Sequence, residues 1–401
     1  MGLNETPSGE RIQIGIFGRR NAGKSTLFNA LIGQELAVVS DTLGTTTDPV
    51  KKAMELLPLG PVVFTDTPGL DDEGELGEKR IGKAKEILRK IDMAIICCDI
   101  RQESFDLEET LLSEIRQRNL SFLFVLTKRS LLEDKAEEKC KEVMARFSLE
   151  EAQICLCEKG EGRKVQEGII SNYHVPKERP LIRDMILPKD KVVLVVPVDS
   201  AAPKGRLILP QQQVIRDVLD GGGIPVICRE SELEDTLFSL KQPPKMVITD
   251  SQAFGMVAKI VPSTVPLTSF SILMARYKGD LKTQIQGAKT IDTLQDKDKI
   301  LISEGCSHRR QCGDIGTVKI PAWIKKYTGK NFDFHFTSGG EFPEDLKEYK
   351  LVIHCGGCTL PVGEMGYRIS HASSLGVPIT NYGVFIAYLH GILDRASELF
   401  I

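Results

Sequence analysis

Short apolar runs alternate with amphipathic stretches along most of this chain. The apolar runs have the length of buried strands, and the stretches between them place apolar residues at helical spacing. An alternation of strands and helices predicts βαβ crossovers and hence parallel sheets. The fold class predicted from this pattern is therefore α/β with mainly parallel sheets.

Two proline-bearing connectors divide the alternation into three parts. The first covers residues 173–180 and carries several charges, and the second covers residues 261–266. The pattern therefore predicts three domains, of residues 1–174, 175–263 and 264–401.

The middle part shows the alternation most clearly. Strands are predicted at residues 191–198, 224–228 and 246–249, and helices at residues 211–219 and 232–240. Because this part offers no catalytic constellation, we expect it to be an oligomerisation module.

The last part is predicted to open with a long helix, near residues 270–294, before the alternation returns. Its final segment carries an apolar stripe at near-heptad spacing, for which we expect core packing rather than a dimer contact. The stripe consists of Phe385, Leu389, Ile392, Ala396 and Leu399.

Composition argues against several classes of protein. The formal net charge of −3 gives no reason to expect a nucleic-acid partner. No apolar run approaches the roughly 18 residues that a membrane span needs, and the first residues lack the apolar core of a signal peptide. Ten cysteines without an export signal favour reduced thiols over disulfides. We therefore expect a cytoplasmic protein.

A glycine-rich loop follows the first predicted strand, matches G-x-x-x-x-G-K-S/T and opens a helical pattern. In such a loop the backbone N–H groups wrap nucleotide phosphates. Lys24 would reach the β- and γ-phosphates, and the Ser25 hydroxyl would bind Mg²⁺. The predicted nucleotide-binding residues here are Gly18, Arg19, Arg20, Asn21, Ala22, Gly23, Lys24, Ser25 and Thr26.

Three further residues stand in the order that a GTPase requires. We predict that Thr46 senses the γ-phosphate through Mg²⁺, that Asp66 holds the metal's water shell, and that the Gly69 N–H meets the γ-phosphate. With Lys24 they form the predicted catalytic set. The next residue, Leu70, cannot orient a water molecule, so another device must assist hydrolysis.

Asn21 suggests that device. Together with Gly44-Thr45-Thr46 it resembles the potassium-activated GTPases of the TrmE–Era–EngA group, in which the asparagine side chain and switch I carbonyls hold K⁺. An asparagine that only stabilises the loop is the alternative.

Base recognition departs from the usual N-K-x-D pattern. That motif is replaced by Thr127-Lys128-Arg129-Ser130. Thr127 and Lys128 remain predicted nucleotide contacts, but Ser130 lacks the carboxylate that accepts guanine hydrogens. The later S-A-K position contains Leu156-Cys157-Glu158. We therefore predict weaker guanine selectivity than in a standard GTPase.

Two predicted strands of the last part are each followed by a short cluster of cysteine and histidine residues, which are common metal ligands. The carboxyl ends of parallel strands meet at one edge of a sheet, so the two clusters should lie close together. Three thiolates with an open fourth position suit an iron–sulfur cluster. Its candidate ligands are Cys306, Cys355 and Cys358, with Glu304, His308 or His354 at the fourth position. The alternative is a closed zinc site of Cys306, His308, Cys355 and Cys358.

The P-loop domain, the middle α/β part, and C-x-H followed by H-C-x-x-C together resemble the [FeFe]-hydrogenase maturation GTPases of the HydF family. The resemblance covers the whole chain and includes residues 202–210 and 268–280. It implies a P-loop GTPase domain followed by two smaller α/β domains with mainly parallel sheets, the middle one forming a homodimer.

The resemblance also implies a function. The protein would be a scaffold and carrier that hydrolyses GTP slowly with Mg²⁺ and K⁺ and holds a [4Fe-4S] cluster on Cys306, Cys355 and Cys358. A two-iron precursor, assembled with two radical-SAM maturases, would bind transiently and pass to apo-[FeFe]-hydrogenase. Hydrolysis would regulate the exchange of partners.

Two other functions remain open at this point. One is a TrmE/Era-like GTPase in RNA modification or ribosome assembly with a structural zinc site, which needs a basic or RNA-binding module near the carboxyl end. The other is an interaction scaffold with a degenerate GTPase domain, which Ser130 favours and the intact P-loop and Asp66 oppose.

Overall fold

The computed structural model of the protein describes residues 8–33, 50–69, 86–174, 179–197, 207–305 and 314–400. The chain divides into two compact units, Met1–Lys177 and Glu178–Ile401. Within the described ranges, no helix is long and apolar enough to cross a membrane.

The first unit contains a six-stranded sheet. Its strands are β1 (Ile12–Phe17), β2 (Val50–Leu56), β3 (Gly60–Asp66), β4 (Met93–Asp99), β5 (Ser121–Thr127) and β6 (Ile154–Leu156). They lie in the order β2-β3-β1-β4-β5-β6, and all neighbours are parallel except β2 and β3.

Helices cover both faces of this sheet. In the described part of the unit they are α1 (Lys24–Ile32), α2 (Asp106–Gln117), α3 (Ala136–Phe147) and α4 (Gly162–Asn172). Alternate residues of β4 pack into two separate hydrophobic clusters, one with α2 and α3 and the other with α1 and α4. Cys97 and Cys98 lie one in each cluster, so both are core residues.

The second unit contains two parallel sheets of four strands each. The first is formed by β7 (Lys191–Val195), β8 (Ile224–Cys228), β9 (Met246–Thr249) and β10 (Leu267–Ser269), in the order β10-β9-β7-β8. The second is formed by β11 (Lys299–Glu304), β12 (Asp333–Ser338), β13 (Leu351–His354) and β14 (Ile379–Asn381), in the order β12-β11-β13-β14. The predicted α/β class with mainly parallel sheets is confirmed.

The two sheets of the second unit share one hydrophobic core. A single cluster of buried residues includes Val193 and Val247 from one sheet and Ile300 and Ile353 from the other. The described helices around them are α5 (Leu209–Asp220), α6 (Leu233–Ser239), α7 (Phe254–Ile260), α8 (Phe270–Lys278), α9 (Leu281–Lys289), α10 (Ile320–Thr328), α11 (Val362–Ser374), α12 (Tyr382–Leu389) and α13 (Leu393–Ser397).

The long helix predicted near residues 270–294 is wrong, because α8 and α9 are separate helices. At Gly279 the backbone is extended, and a Cβ would lie 2.5 Å from the Gln284 side chain. Asp280 then caps α9, since its side chain accepts a hydrogen bond from Thr283 N at 3.1 Å. Glycine followed by a capping aspartate was the local signal for this break.

The domain boundary predicted at residue 264 lies inside the first sheet of the second unit. β10 follows the proline-bearing connector but pairs with β9, so residues 267–269 belong to the middle sheet. The connector is therefore the last part of the crossover that joins the parallel strands β9 and β10. The apolar stripe near the carboxyl end does pack in the core, where Phe385 and Ala396 are buried.

Candidate functional site

The loop between β1 and α1 needs its glycines. Gly18 has a φ of +152°, and a Cβ there would lie 2.1 Å from the carbonyl oxygen of Cys97. Gly23 has a φ of +92° and lies against the Thr127 side chain. Residues that carry a side chain rarely adopt such positive φ angles. The backbone geometry of the predicted P-loop therefore requires glycine at these two positions.

Lys24, the first residue of α1, follows this loop directly and is only 8% exposed. Its Nζ donates to the carbonyl oxygens of Gly18 at 3.0 Å and Arg19 at 2.7 Å. The ammonium group is therefore held inside the curve of the loop, where phosphates bound by the loop's N–H groups also lie.

Ser25 and Asp66, the two predicted Mg²⁺ residues on α1 and β3, are in direct contact. Ser25 Oγ donates to Asp66 Oδ2 at 2.8 Å, while Asp66 Oδ1 is buried without a hydrogen-bond partner among the described residues. Burial raises the pKa of the Asp66 carboxyl, and the Ser25 hydrogen bond and the Lys24 charge oppose that rise. A hydroxyl and an unpartnered carboxylate oxygen are hard donors of the kind that Mg²⁺ prefers, so these residues fit the ion.

Gly69 lies against the P-loop. A Cβ on Gly69 would lie 3.1 Å from the backbone nitrogen of Arg20, so the two backbones approach closely. This position is compatible with the predicted γ-phosphate contact. Thr46 and Leu70 lie outside the described residues, and what was predicted for them stays a prediction.

Arg19 is anchored by a buried carboxylate that the sequence analysis missed. Its Nε and Nη2 lie 3.1 Å and 3.2 Å from the two carboxylate oxygens of Glu108, which is 0% exposed. A two-pronged ion pair of this kind fixes orientation as well as charge. It therefore ties the P-loop to α2.

Two contacts join the predicted base-recognition residues to the P-loop. Thr127 Oγ1 donates to the carbonyl oxygen of Ala22 at 2.7 Å, and Lys128 Nζ donates to that of Asn21 at 2.7 Å. Lys128 Nζ also lies 2.7 Å from Asp99 Oδ2, a partner that the sequence analysis missed. Thr127 therefore links the base-recognition loop to the P-loop, although it replaces the asparagine of the usual N-K-x-D motif.

An open pocket lies beside these contacts, with apolar side chains of α1 on one wall. It is lined by Gly23, Thr26, Leu27, Ala30, Thr127, Lys128, Cys157, Glu158, Lys159 and Gly160. The second base-recognition segment, predicted as Leu156-Cys157-Glu158, is therefore shifted by one residue. Leu156 is buried at the end of β6, and the pocket lining begins at Cys157.

The second candidate site begins where β11 and β13 end side by side, with Ser303 opposite His354. Cys355 follows β13 at once, and its Sγ accepts hydrogen bonds from Gly305 N at 3.0 Å and Gly357 N at 3.4 Å. Thiolate ligands commonly receive such N–H groups. The surroundings of Cys355 therefore suit a thiolate ligand.

The described residues contain no group of three or more His, Cys, Asp or Glu side chains that could hold a metal ion. Cys306 and His308 belong to the predicted ligand set but lie outside the described residues. Their roles stay predictions.

Both ring nitrogens of His354, one of the predicted fourth ligands, are engaged in this arrangement, and its role at the fourth position stays a prediction. Nδ1 lies 2.7 Å from the Cys355 carbonyl oxygen, and Nε2 lies 2.9 Å from Nη1 of the fully buried Arg368. A carbonyl oxygen only accepts and a guanidinium only donates. Nδ1 therefore carries the proton, and the lone pair of Nε2 is taken by Arg368.

Glu304 remains a candidate for the fourth position. It ends β11 and is 5% exposed, and Tyr382 Oη donates to its Oε1 at 3.3 Å. Its carboxylate thus lies buried at the same sheet edge as Cys355.

Lys278 holds the loop that carries Cys358. It is 2% exposed, and its Nζ donates to the carbonyl oxygens of Gly357 at 3.1 Å, Cys358 at 2.8 Å and Leu360 at 2.8 Å. The three donors of an ammonium group match three acceptors of one loop. Burial raises the pKa of the Cys358 thiol, and the Lys278 charge opposes that rise.

Three family models match the chain. Residues 13–128 match the 50S ribosome-binding GTPase model, residues 181–279 the hydrogen maturase F dimerization domain, and residues 282–399 the hydrogen maturase F tetramerization domain. The last two together cover more than half of the chain. They occupy the part in which an RNA-acting GTPase would need its RNA-binding module.

Curated relatives match a smaller share. The GTPase Der of Wolinella succinogenes is 36% identical over 178 residues, which are 43% of this chain and 37% of that protein. The tRNA modification GTPase MnmE of Aquifex aeolicus is 34% identical over 112 residues, 27% of this chain and 25% of that protein. The chain spans about a third, or less, of the length of these relatives.

Solved structures give weaker matches. Era of Aquifex aeolicus, bound to GDP and AlF4⁻, is 17% identical with a TM-score of 0.33, and the match covers 54% of this chain and 93% of that one. The G domain of the T. maritima FeoB iron transporter is 17% identical with a TM-score of 0.31, and the match covers 41% of this chain and 100% of that one.

Proposed function

Because the chain belongs to the hydrogen maturase F family, we propose that it is a GTP-hydrolysing scaffold that binds a [4Fe-4S] cluster and delivers a two-iron precursor to apo-[FeFe]-hydrogenase. The observation that carries this proposal is the loop after β13. There Cys355 Sγ accepts two backbone N–H hydrogen bonds at the sheet edge where β11 also ends. Such hydrogen bonds stabilise a metal-bound thiolate.

The nucleotide half of the proposal assigns hydrolysis to the P-loop site. Lys24 binds the β- and γ-phosphates, Ser25 and Asp66 hold Mg²⁺, and the Gly69 N–H meets the γ-phosphate. The ion supplies neutralising charge to the phosphates. The buried Lys24, the Ser25–Asp66 contact and the close approach of Gly69 to the P-loop support these roles.

Leu70 cannot orient the attacking water molecule, so hydrolysis needs other assistance. A K⁺ ion bound at Asn21 is the proposed source, because the ion supplies positive charge beside the phosphates. Asn21 has a φ of +61°, which asparagine tolerates, and its carbonyl oxygen binds Lys128 Nζ at 2.7 Å. The backbone at this position is therefore well anchored.

The metal half of the proposal assigns the cluster to Cys306, Cys355 and Cys358, with Glu304, His308 or His354 completing the set. The two-iron precursor is cargo, received in the cytoplasm from two radical-SAM maturases. Lys278 supports this site because it holds the carbonyl groups of the Cys358 loop.

A homodimer through β8 is the proposed assembly of the middle sheet. β8 lies at one end of its strand order, and Ile224 and Ile227 on it are 45% and 48% exposed. An edge strand with exposed apolar side chains is suited to pairing with another strand. We propose that the strand that pairs with β8 belongs to a second copy of this chain, because residues 181–279 match a dimerization domain.

The variant Ile227→Glu tests the dimer. A glutamate charge buried twice across such an interface should raise the dimer dissociation constant about 30-fold or more. Sedimentation velocity over a dilution series measures this constant. Leu57→Glu, which changes a 75% exposed leucine of the first unit, is the matched control. Equal dissociation constants for both variants would rule out the β8 interface.

Anaerobic reconstitution with iron and sulfide tests the function itself. We expect about four irons per chain, a brown protein and a [4Fe-4S] EPR signal after reduction, with the signal lost in Cys355→Ala and kept in Cys140→Ala. GTP hydrolysis by the same sample should be faster in K⁺ than in Na⁺. A colourless protein that retains one zinc per chain would refute the carrier function, whereas equal rates in K⁺ and Na⁺ would remove only the role given to Asn21.

A further inference from the structure

A carboxylate from another loop lies where Ser130 leaves the base pocket without one. Glu158 follows β6, 28 residues beyond Ser130 in the chain, and its Oε2 accepts a hydrogen bond from Ser130 N at 2.8 Å. The backbone position that carries the aspartate in N-K-x-D is thus in direct contact with the Glu158 carboxylate.

Backbone N–H groups orient this carboxylate through both oxygens. Ser130 N binds Oε2, and Lys159 N binds Oε1 at 3.2 Å. These hydrogen bonds, with the Ser130 bond first, lower the pKa of Glu158 and keep it ionised. Since a carboxylate has about four lone-pair sites, each oxygen can accept a further hydrogen bond from a ligand.

Glu158 is also the only carboxylate among the described residues that line the pocket. Its neighbour Glu161 is engaged elsewhere, because Glu161 accepts a hydrogen bond from Glu158 N at 2.8 Å and pairs with Arg129 at 3.3 Å. Leu27 and Ala30 supply apolar contacts for a base on the α1 side of the same pocket.

We propose that Glu158 replaces the missing aspartate and makes this pocket selective for guanine nucleotides. The N1–H and N2–H groups of guanine match the two acceptor oxygens of a carboxylate. Adenine presents a lone pair at N1 and no amino group at C2, so it would place that lone pair against a negative charge. The inference rests on the proposed GTP function, and it replaces the weaker selectivity predicted from Ser130.

Glu158→Gln should change which base is bound. The neutral amide removes one acceptor and adds an NH₂ donor, so it should disfavour guanine and favour xanthine, which has a carbonyl at C2. We expect GDP affinity to fall about 10- to 100-fold and XDP affinity to rise. Titrations of the full chain with fluorescent GDP, XDP and ADP measure both changes. Glu167→Gln makes the same change in charge at an exposed position of α4 and is the matched control.

The gain in XDP binding separates altered recognition from loss of folding. An unchanged ratio of GDP to XDP affinity in Glu158→Gln would overturn the role of Glu158, as would a wild-type protein that binds ADP as tightly as GDP. Both results leave the proposed GTP hydrolysis standing. A wild-type protein that binds none of the three nucleotides would instead overturn the proposed function together with this inference.

Discussion

Replacing Asp66 with asparagine is expected to slow GTP hydrolysis about 100-fold or more while GDP binding stays close to that of the wild type. Asp66 supplies a buried oxygen, Oδ1, that has no hydrogen-bond partner among the described residues, and Oδ2 accepts from Ser25. Asparagine keeps the shape and the Ser25 hydrogen bond but removes the charge. It should therefore weaken Mg²⁺ binding without disturbing the P-loop.

Single-turnover hydrolysis at a series of Mg²⁺ concentrations checks this expectation. The rate of the variant should be lowest at low Mg²⁺ and rise as Mg²⁺ is raised, because a weakened metal site fills only at higher concentration. Its apo form should melt close to the wild-type temperature. Asp134→Asn, at an exposed position of the same unit, is the control. A rate within tenfold of the wild type at low Mg²⁺ would show that Asp66 does not serve the metal.

Replacing Lys278 with methionine is expected to destabilise the second unit and prevent it from retaining a cluster. Methionine fills similar space, but the carbonyl oxygens of Cys358 and Leu360 lose the ammonium donor, whereas that of Gly357 keeps Leu360 N at 3.0 Å. Each buried acceptor left without a partner costs about 1–3 kcal/mol. With two acceptors left without their donor, the free energy of unfolding should fall by at least about 2 kcal/mol, which corresponds to roughly 4 °C or more in Tm for a unit of this size.

Two measurements separate the parts of this expectation. Thermal unfolding of the apo protein reports the lost hydrogen bonds, and iron content after reconstitution reports the geometry of the Cys358 loop. Lys282→Met removes an exposed lysine from the neighbouring α9 and should change neither quantity. If Lys278→Met kept full iron content and an unchanged Tm, the loop would not depend on the buried ammonium.

Local patterns were sufficient for most strands and for the P-loop. The strands at residues 224–228 and 246–249 begin and end as predicted, because short apolar runs between turn residues need no distant information. The P-loop could be identified for the same reason, since its strand, glycines and helix are contiguous. The break at Gly279 was also visible locally, but the helical pattern on both sides obscured it.

Long-range partners could not be predicted in this way. Glu108 meets Arg19 across 89 positions, and Lys278 meets Gly357 across 79. Glu158 meets Ser130 only because two parallel strands bring their loops together. The sequence indicates which residues can carry charge, whereas the fold decides which backbone groups and side chains face one another.

α8 connects the middle sheet to the cysteine loop. It begins at Phe270, directly after β10, and ends at Lys278, whose ammonium holds the loop of Cys358. Nine helical residues make a stiff link about 13 Å long. Any shift of the middle sheet on assembly would reach the cysteine loop through this link. Assembly and metal loading would then be thermodynamically coupled. The factor by which metal loading changes the affinity of self-association must equal the factor by which self-association changes the affinity for the metal.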